Sequence, residues 1–377
     1  MFDLTLTPGS LNFYLFAVFI FTFLVQQAFY WILFVRLAFF KNNPVHQGTG
    51  GISVVICARN EHDHLKENLP FILEQDYPDF EVVVVNWASD DDSAFLLARM
   101  TDQFPNLKIV EIRENLNFFS GKKFPLSIGI KSAKNDMVIV TNADCRPVSR
   151  NWLSMMRSGF TGSVEVLLGY GAYEKQKGFM NQLIRFDTTQ ISFRYLSCAL
   201  AGIPYMGVGR NMAYLKSLFY KNKGFISHYR ITSGDDDLFI NRVAKGNNTR
   251  IVLHPDSFTV SVPPQIFRHW MIQKKRQLST LRFYRSGHRL FFGLYSISIF
   301  LFYTLFVALL GRDYNTVLIV PLFIARLIAQ MIIFYKCMAK LNEKDLIWFV
   351  PFFEITMLFV HSMAFISNLF SKSNKWK

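Results

Sequence analysis

The residues of this chain best suited to chemistry are aspartates grouped in three places: Asp90-Asp91-Asp92, then Asp144 after an apolar run, then Asp235-Asp236-Asp237. Carboxylates bind a divalent cation, and the cation neutralises phosphate charge that bare acids would repel. Acid groups that follow buried strands are what a metal-held diphosphate requires. A basic stretch, Gln273-Lys274-Lys275-Arg276, comes later, just before the chain turns hydrophobic. The pattern points to an enzyme.

Each group also has a plainer use. Asn142 and Asp144, with one residue between them, project to the same face of an extended chain, so one cation or one ribose meets both. A strand-end turn or a helix N-cap would use the same pair. The Asp235 triplet precedes the helical run Leu238 to Val243, where capping and the helix dipole account for one acid. Three adjacent like charges exceed what a cap needs, and one of them held as a carboxylate can take the proton from an attacking hydroxyl. Gly121-Lys122-Lys123 opens a helix that runs to about Ala133. A lysine beside free backbone amides suits a phosphate, but taken alone the two read as an ordinary solvated pair. Gln273 and Arg276, three apart on a helix, share a face. An arginine there grips a diphosphate bidentately, and a glutamine bonds sugar or ribose. Lys274, Lys275, Arg282 and Arg285 read as a basic membrane-surface helix. His62 and His64 have no third ligand at metal spacing and read as solvated loop residues.

These groups need a scaffold, and the pattern supplies one. Short β-branched runs at Ile52 to Ala58, Glu81 to Val85, Lys108 to Ile112 and Met137 to Thr141 alternate with helix-like segments. That alternation predicts an α/β fold with a doubly wound, mostly parallel sheet, whose ligands gather at the carboxyl ends of the strands. Arg59-Asn60-Glu61, Asn86 to Asp92 and Asn142-Ala143-Asp144 fall there. Val166 to Gly169 and Arg250 to Leu253 read as further strands, and Phe179 to Ala199 and Asp237 to Ala244 as helices.

The chain has 377 residues, 51% hydrophobic, with 40 Phe. The excess is localised: Leu11 to Val35 is an uncharged run long enough to span a bilayer, and further runs lie at about 291 to 310, 315 to 335 and 346 to 369. The expected organisation is an N-terminal membrane anchor (1–44), a catalytic domain (45–262), a basic interfacial helix (263–290) and two to three C-terminal membrane helices (291–377). The first run lacks the basic start and cleavage site of a signal peptide. Arg36 and Lys41 follow it, so the positive-inside bias places the catalytic domain in the cytoplasm of a cell (inner) membrane protein. Lys336, Lys340 and Lys344 agree with that count. Lys372, Lys375 and Lys377 conflict with a fourth full span, which a re-entrant or interfacial last segment would cure. Glu354 and His361, seven apart, share one face of that segment, either as functional groups or as a polar stripe turned toward other helices.

Net charge is +14, and seven cations from Arg268 to Arg289 lie in one acid-free stretch before the second apolar run. That placement favours a membrane surface over nucleic acid. Cys57, Cys145, Cys198 and Cys337 show no close pairing of the zinc or redox kind.

Taken in order, these positions resemble the family 2 glycosyltransferases, inverting membrane enzymes of GT-A fold, especially the branch of cellulose, hyaluronan and ceramide-glucose synthases. Ala58-Arg59-Asn60-Glu61 is similar to the family's first-strand loop, Val85 to Ser93 to its acidic nucleotide loop, and Gly121-Lys122 to its Gly-Lys pair. Asn142-Ala143-Asp144 matches the Asp-x-Asp site and Gly207-Val208-Gly209-Arg210-Asn211 the acceptor-side glycine loop. Asp235-Asp236 resembles the base motif and Gln273 to Gln277 the QxxRW motif.

The resemblance implies Asp144 as ligand of Mg or Mn, with Asn142 assisting at metal or ribose. It implies Asp236 as general base, Asp235 its alternate. Arg59, Glu61, Asn86, Trp87, Lys122, Gly209, Asn211, Gln273 and Arg276 then bind substrate. It implies a nucleotide-sugar donor, a UDP-sugar first, and a lipid-linked or glycan acceptor. Trp87 replaces an aspartate that touches the nucleobase in many relatives, Asn142 replaces the first aspartate of the metal pair, and Gln277 replaces the tryptophan of QxxRW. With so small a membrane part, these departures favour addition of one or a few sugars over processive polymerisation. A catalytically silent relative that binds a nucleotide sugar or a partner is the alternative, supported by Trp87 and Asn142. A transporter would need far more of the chain in the membrane.

Overall fold

The structure, a computed structural model, describes residues 9–42, 48–113 and 121–370. The chain opens with α1 (Leu11–Ala28), which continues through a π-helical stretch, Phe29–Phe34, into α2 (Val35–Ala38). Then come β1 (Ile52–Ala58), α3 (His62–Leu73), β2 (Phe80–Trp87), α4 (Ser93–Gln103), β3 (Leu107–Ile112), α5 (Lys123–Ser132), β4 (Met137–Asn142), β5 (Cys145–Pro147) and α6 (Trp152–Ser158). They are followed by β6 (Val166–Leu168), β7 (Gly171–Tyr173), α7 (Phe179–Leu200), β8 (Met212–Leu215), α8 (Lys216–Lys221), α9 (Asp237–Val243), β9 (Thr249–Ile251), β10 (Thr259–Ser261) and α10 (Phe267–Thr280). The last three helices are α11 (Ser286–Leu310), α12 (Thr316–Lys340) and α13 (Val350–Phe370).

The chain divides into two compact units, one of residues 1–40 and 284–360, the other of residues 41–283 and 361–377. The second is the α/β unit. Its main sheet has seven strands in the order β3-β2-β1-β4-β8-β6-β9, and β5, β10 and β7 form a smaller one. The four strands expected from the β-branched runs are parallel neighbours, as predicted. The sheet is mixed because β8 runs antiparallel to both β4 and β6. β1 is buried along its whole length, which is why it reads as a continuous apolar run rather than an alternating one.

Two glycines set distances that matter for the site. A Cβ on Gly129 would come within 2.6 Å of Val55 and 2.8 Å of Val85, so α5 lies directly on β1 and β2. At Gly121, whose φ is +94°, a Cβ would meet the Thr232 carbonyl oxygen at 2.1 Å. Only glycine lets the start of α5 approach that loop.

His62 and His64 stand in the first turn of α3 rather than in a loop, because Asp91 accepts from the His62 backbone N–H at 3.0 Å and so caps the helix. The His64 Nδ1 lies 2.5 Å from Glu61. All four cysteines are buried free thiols.

The other unit is helical, and four helices of the chain are long and apolar enough to cross a membrane: Leu11–Ala38, Ser286–Leu310, Thr316–Lys340 and Lys344–Asn368. Phe16, Phe19, Phe302, Leu305, Leu309 and Ile319 form one apolar cluster in this unit, with Phe19 stacked on Phe302 at 4.8 Å. A polar cluster is buried beside it. Arg326, fully buried, donates to Gln26 at 2.7 Å, to Gln330 at 2.6 Å and to Glu354 at 2.8 Å. The Tyr303 hydroxyl donates to Glu354 at 2.6 Å. Glu354 is thus turned toward the other helices, and the cluster takes a residue from each of the four. Lys372, Lys375 and Lys377 lie outside the described residues.

A buried ion pair is strongly destabilised when one partner is removed, because the other is left charged in an apolar medium. Glu354→Ala is expected to cost about 3–5 kcal/mol, read as a lower melting temperature of detergent-purified protein. Replacing Arg326 and Glu354 together by Met and Leu should restore most of the loss.

Candidate active site

The carboxyl ends of β2, β1 and β4 are adjacent, with Ala58 opposite Asn86 and Cys57 opposite Asn142. Arg59, Trp87 and Asn142 therefore share one edge. The Arg59 guanidinium lies 5.0 Å from the centre of the Trp87 ring, and Trp87 is buried. Other residues expected here serve the scaffold: Asn86 donates to Glu111 at 3.1 Å and accepts from Ser89 at 2.6 Å, and Glu61 holds His64. The Asp90 to Asp92 loop is a fastener, with the Asp90 backbone N–H on Asn60 at 2.8 Å and Asp91 accepting from His62 and Ser93. Burial alone would raise the Asp91 carboxyl, but hydrogen bonds from Ser93 and His62 outweigh it and hold its pKa below the ordinary value.

Lys122 and Lys123 are not the solvated pair that their neighbourhood in sequence implies; they are 8% and 1% exposed. The close approach at Gly121 carries both into the acidic loop. Lys122 donates to Asn142 Oδ1 at 2.5 Å. Burial works against its charge, yet Asp235, Cys57, Asp236 and Asp144 raise its pKa above the usual lysine value. One ammonium thus feels both Asp144 and the distant triplet, so the separated acidic segments converge. Lys123 staples the loop before the triplet by donating to the carbonyls of Ile231 and Ser233. Its pKa falls to about 8 because burial outweighs the three aspartates.

The three aspartates of the triplet are held differently. Asp237 accepts from the Leu238 backbone N–H at 2.7 Å and from the Thr280 hydroxyl, which spends it on the start of α9 and the end of α10. Asp236 accepts from the backbone N–H of Gly209 at 2.9 Å and of Asp237 at 2.7 Å. Burial, then repulsion from Asp235 and Asp237, push its pKa up to about 7 despite those bonds. Asp235, half-buried, is the acid that acts most strongly on Lys122 and Arg276. Gly209 stands against Asp236, where a Cβ would lie 3.3 Å from the carboxylate. Asn211 is fully buried and donates to the carbonyls of Tyr170 at 2.9 Å and Ser257 at 2.7 Å while accepting from Trp152 at 3.2 Å. Its side chain holds the loop.

Asp144 follows β4 half-buried and accepts from the Cys145 thiol at 3.3 Å. Among the described residues no group of three or more His, Cys, Asp or Glu is placed to hold a metal ion. The donor set therefore fits a cation shared between one carboxylate and substrate phosphates, as magnesium sites are commonly built, rather than a cage made of protein alone.

On α10, Gln273 donates to the Tyr173 hydroxyl at 3.0 Å, and Arg276 is half-buried near Asp235 and Tyr173. Lys274 is not a membrane-surface cation: it is 4% exposed and ion-paired with Asp187 of α7. The sequence gives no role to Tyr173 and names Arg210 only as a member of the glycine loop. The Arg210 guanidinium lies 4.2 Å over the Tyr173 ring and donates to Ala172 and Ser261, both at 3.2 Å. The one available signal was a charged residue inside the glycine loop; Tyr173 sits on a three-residue strand that carries no recognisable period.

A family model described as glycosyltransferase-like family 2 matches residues 49–280. A poly-beta-1,6-N-acetyl-D-glucosamine synthase of Staphylococcus epidermidis is 28% identical over 130 residues, 32% of this chain and 30% of that protein. An uncharacterized glycosyltransferase of Haemophilus influenzae is 30% identical over 83 residues, 19% of this chain and 26% of that protein. The match thus spans less than a third of either curated relative. A mannosyltransferase from Pyrobaculum calidifontis, solved with GDP-Man and Mn2+, has a TM-score of 0.58 at 18% identity, covering 89% of this chain and 99% of that one. That likeness is one of fold. With most of the α/β unit matched by the family model and the fold shared with a GT-A enzyme, this chain belongs to the family 2 glycosyltransferases.

Proposed function

We propose that the protein is a membrane-bound inverting glycosyltransferase that moves a sugar from a nucleoside-diphosphate donor, a UDP-sugar by family resemblance, to a hydroxyl of a lipid-linked or glycan acceptor. The observation that carries this reading is the meeting of Asp144, Lys122 and the triplet, with Asp236 poised near neutrality. Asp236 takes the proton from the acceptor hydroxyl, Asp235 being the alternate. The oxygen attacks the anomeric carbon as the bond to the diphosphate breaks on the opposite face, so an α-linked donor gives a β-glycoside. Lys122 and Arg276 balance the leaving charge, and Gln273 orients the donor. Mg or Mn, held by Asp144 with the donor's own oxygens, would neutralise the diphosphate when bound. Asn142 keeps Lys122 in place beside it. Arg59, held over the buried Trp87 ring, offers a wall for the nucleotide.

Sugar nucleotides are cytoplasmic, and Arg36 and Lys41 after the first long helix support an inner-membrane protein with its α/β unit on that side. His361 and Asn368 contact Asp187 and Lys275 within the α/β unit, which supports a last helix that ends on the catalytic side. A reporter fused after Lys377 should therefore read as cytoplasmic; an external signal would remove this part of the reading.

Asp144→Ala and Asp236→Ala should each abolish release of nucleoside diphosphate from a panel of nucleotide sugars with Mg or Mn, with melting curves still cooperative. Turnover like wild type in either variant would falsify its role. Asp236 must be unprotonated to act, so kcat/KM should rise about tenfold per pH unit below about 7 and level off above it. A flat profile from pH 5 to 8 would exclude this base. Arg276→Ala should raise donor KM at least tenfold, in line with loss of a charge-assisted contact of about 1.5–3 kcal/mol.

A further inference from the structure

Helix α10 carries Gln273, Arg276 and Thr280 on one face, since steps of three, four and seven residues return to about the same side at about 100° per residue. Gln273 meets Tyr173, Arg276 lies near Asp235, and Thr280 meets Asp237. A helix held along a single face can still roll. Lys274 stands about 100° away from Gln273 and is 4% exposed, with its ammonium on the Asp187 carboxylate of α7, itself 1% exposed. The other Asp187 oxygen lies 3.3 Å from His361 Nε2 of α13. Asn368, further along α13, donates to the Lys275 carbonyl at 2.9 Å.

We propose that Lys274, Asp187 and His361 form a positioning clasp that stops α10 from rolling and so aims Arg276 at the donor diphosphate. This rests on the donor-gripping role given above to Arg276. Burying an ion pair gains little over an apolar pair of similar volume, and the best-attested use of such a pair is to fix a register. The surroundings fit that use. Arg210 and Arg194 crowd Lys274 with like charge, so an apolar residue there would be the easier choice if packing alone mattered. Lys274 and His361 outweigh the effect of burial and hold Asp187 at about 2, so the anchor stays charged throughout the working range of pH.

The test uses purified full-length protein and titrates UDP and GDP, each with Mn2+. Lys274→Met alone would leave Asp187 charged and buried, so the informative variant is the apolar pair Asp187→Leu with Lys274→Met. It should melt within a few degrees of wild type yet bind the nucleoside diphosphate about tenfold more weakly. Lys274→Arg, which keeps the pair, should retain most of the affinity. Combined with Arg276→Ala, the apolar pair should cost nothing further, because the clasp acts through that guanidinium. An affinity like wild type in the apolar pair, or an undiminished extra loss on top of Arg276→Ala, overturns the clasp alone. If Arg276→Ala leaves binding unchanged, or wild type binds neither nucleotide, the donor-grip reading fails and the clasp with it.

Discussion

Three adjacent carboxylates at the head of a short helix repel one another, and the site depends on how that repulsion is divided. Asp237 is spent on α10 through Thr280, Asp236 is held by two backbone N–H groups, and Asp235 is left to face the cations. Lys122 and Lys123 bring the opposing charge, and they reach it because Gly121 lets the start of α5 touch the Thr232 carbonyl. A side chain at that one glycine would separate the two lysines from the acids they balance. The raised pKa of Asp236 comes first from its burial and then from the repulsion of Asp235 and Asp237, and it is what brings a carboxylate into the range of a general base at neutral pH.

Much of this fold was legible in the chain because the parallel strands leave β-branched runs, continuous where the strand is buried and shorter at the edge strand β3. β1 to β4 are all visible that way, and the acidic and amide residues after them announced the edge where ligands gather. Of the short strands, β6 and β9 were legible and the other four were not. β5, β7, β8 and β10 have three or four residues each, too few for a period to emerge, and the antiparallel placement of β8 is set by partners far away in sequence.

The site was legible in its acids and less so in its cations. A lysine in sequence looks solvated unless something shows what covers it, and Lys122, Lys123 and Lys274 are covered by segments roughly 20 to 110 residues distant in the chain. For the same reason Asn211 and Asn86 could be placed in the site region while their side chains are taken up by the scaffold. Motif order located the loops; only the packing separates the residues that face a ligand from those that hold the loop for them.

The buried Arg326 has a consequence for how the protein is made. Its carboxylate partner, Glu354, lies 28 residues further on, so during synthesis the guanidinium emerges well before its counter-ion exists. An arginine at the centre of a lone helix costs about 3 kcal/mol to partition into lipid. If the helix bearing it is inserted into a bilayer, it gains by lingering at the insertion machinery until the following segment brings Glu354 to neutralise it.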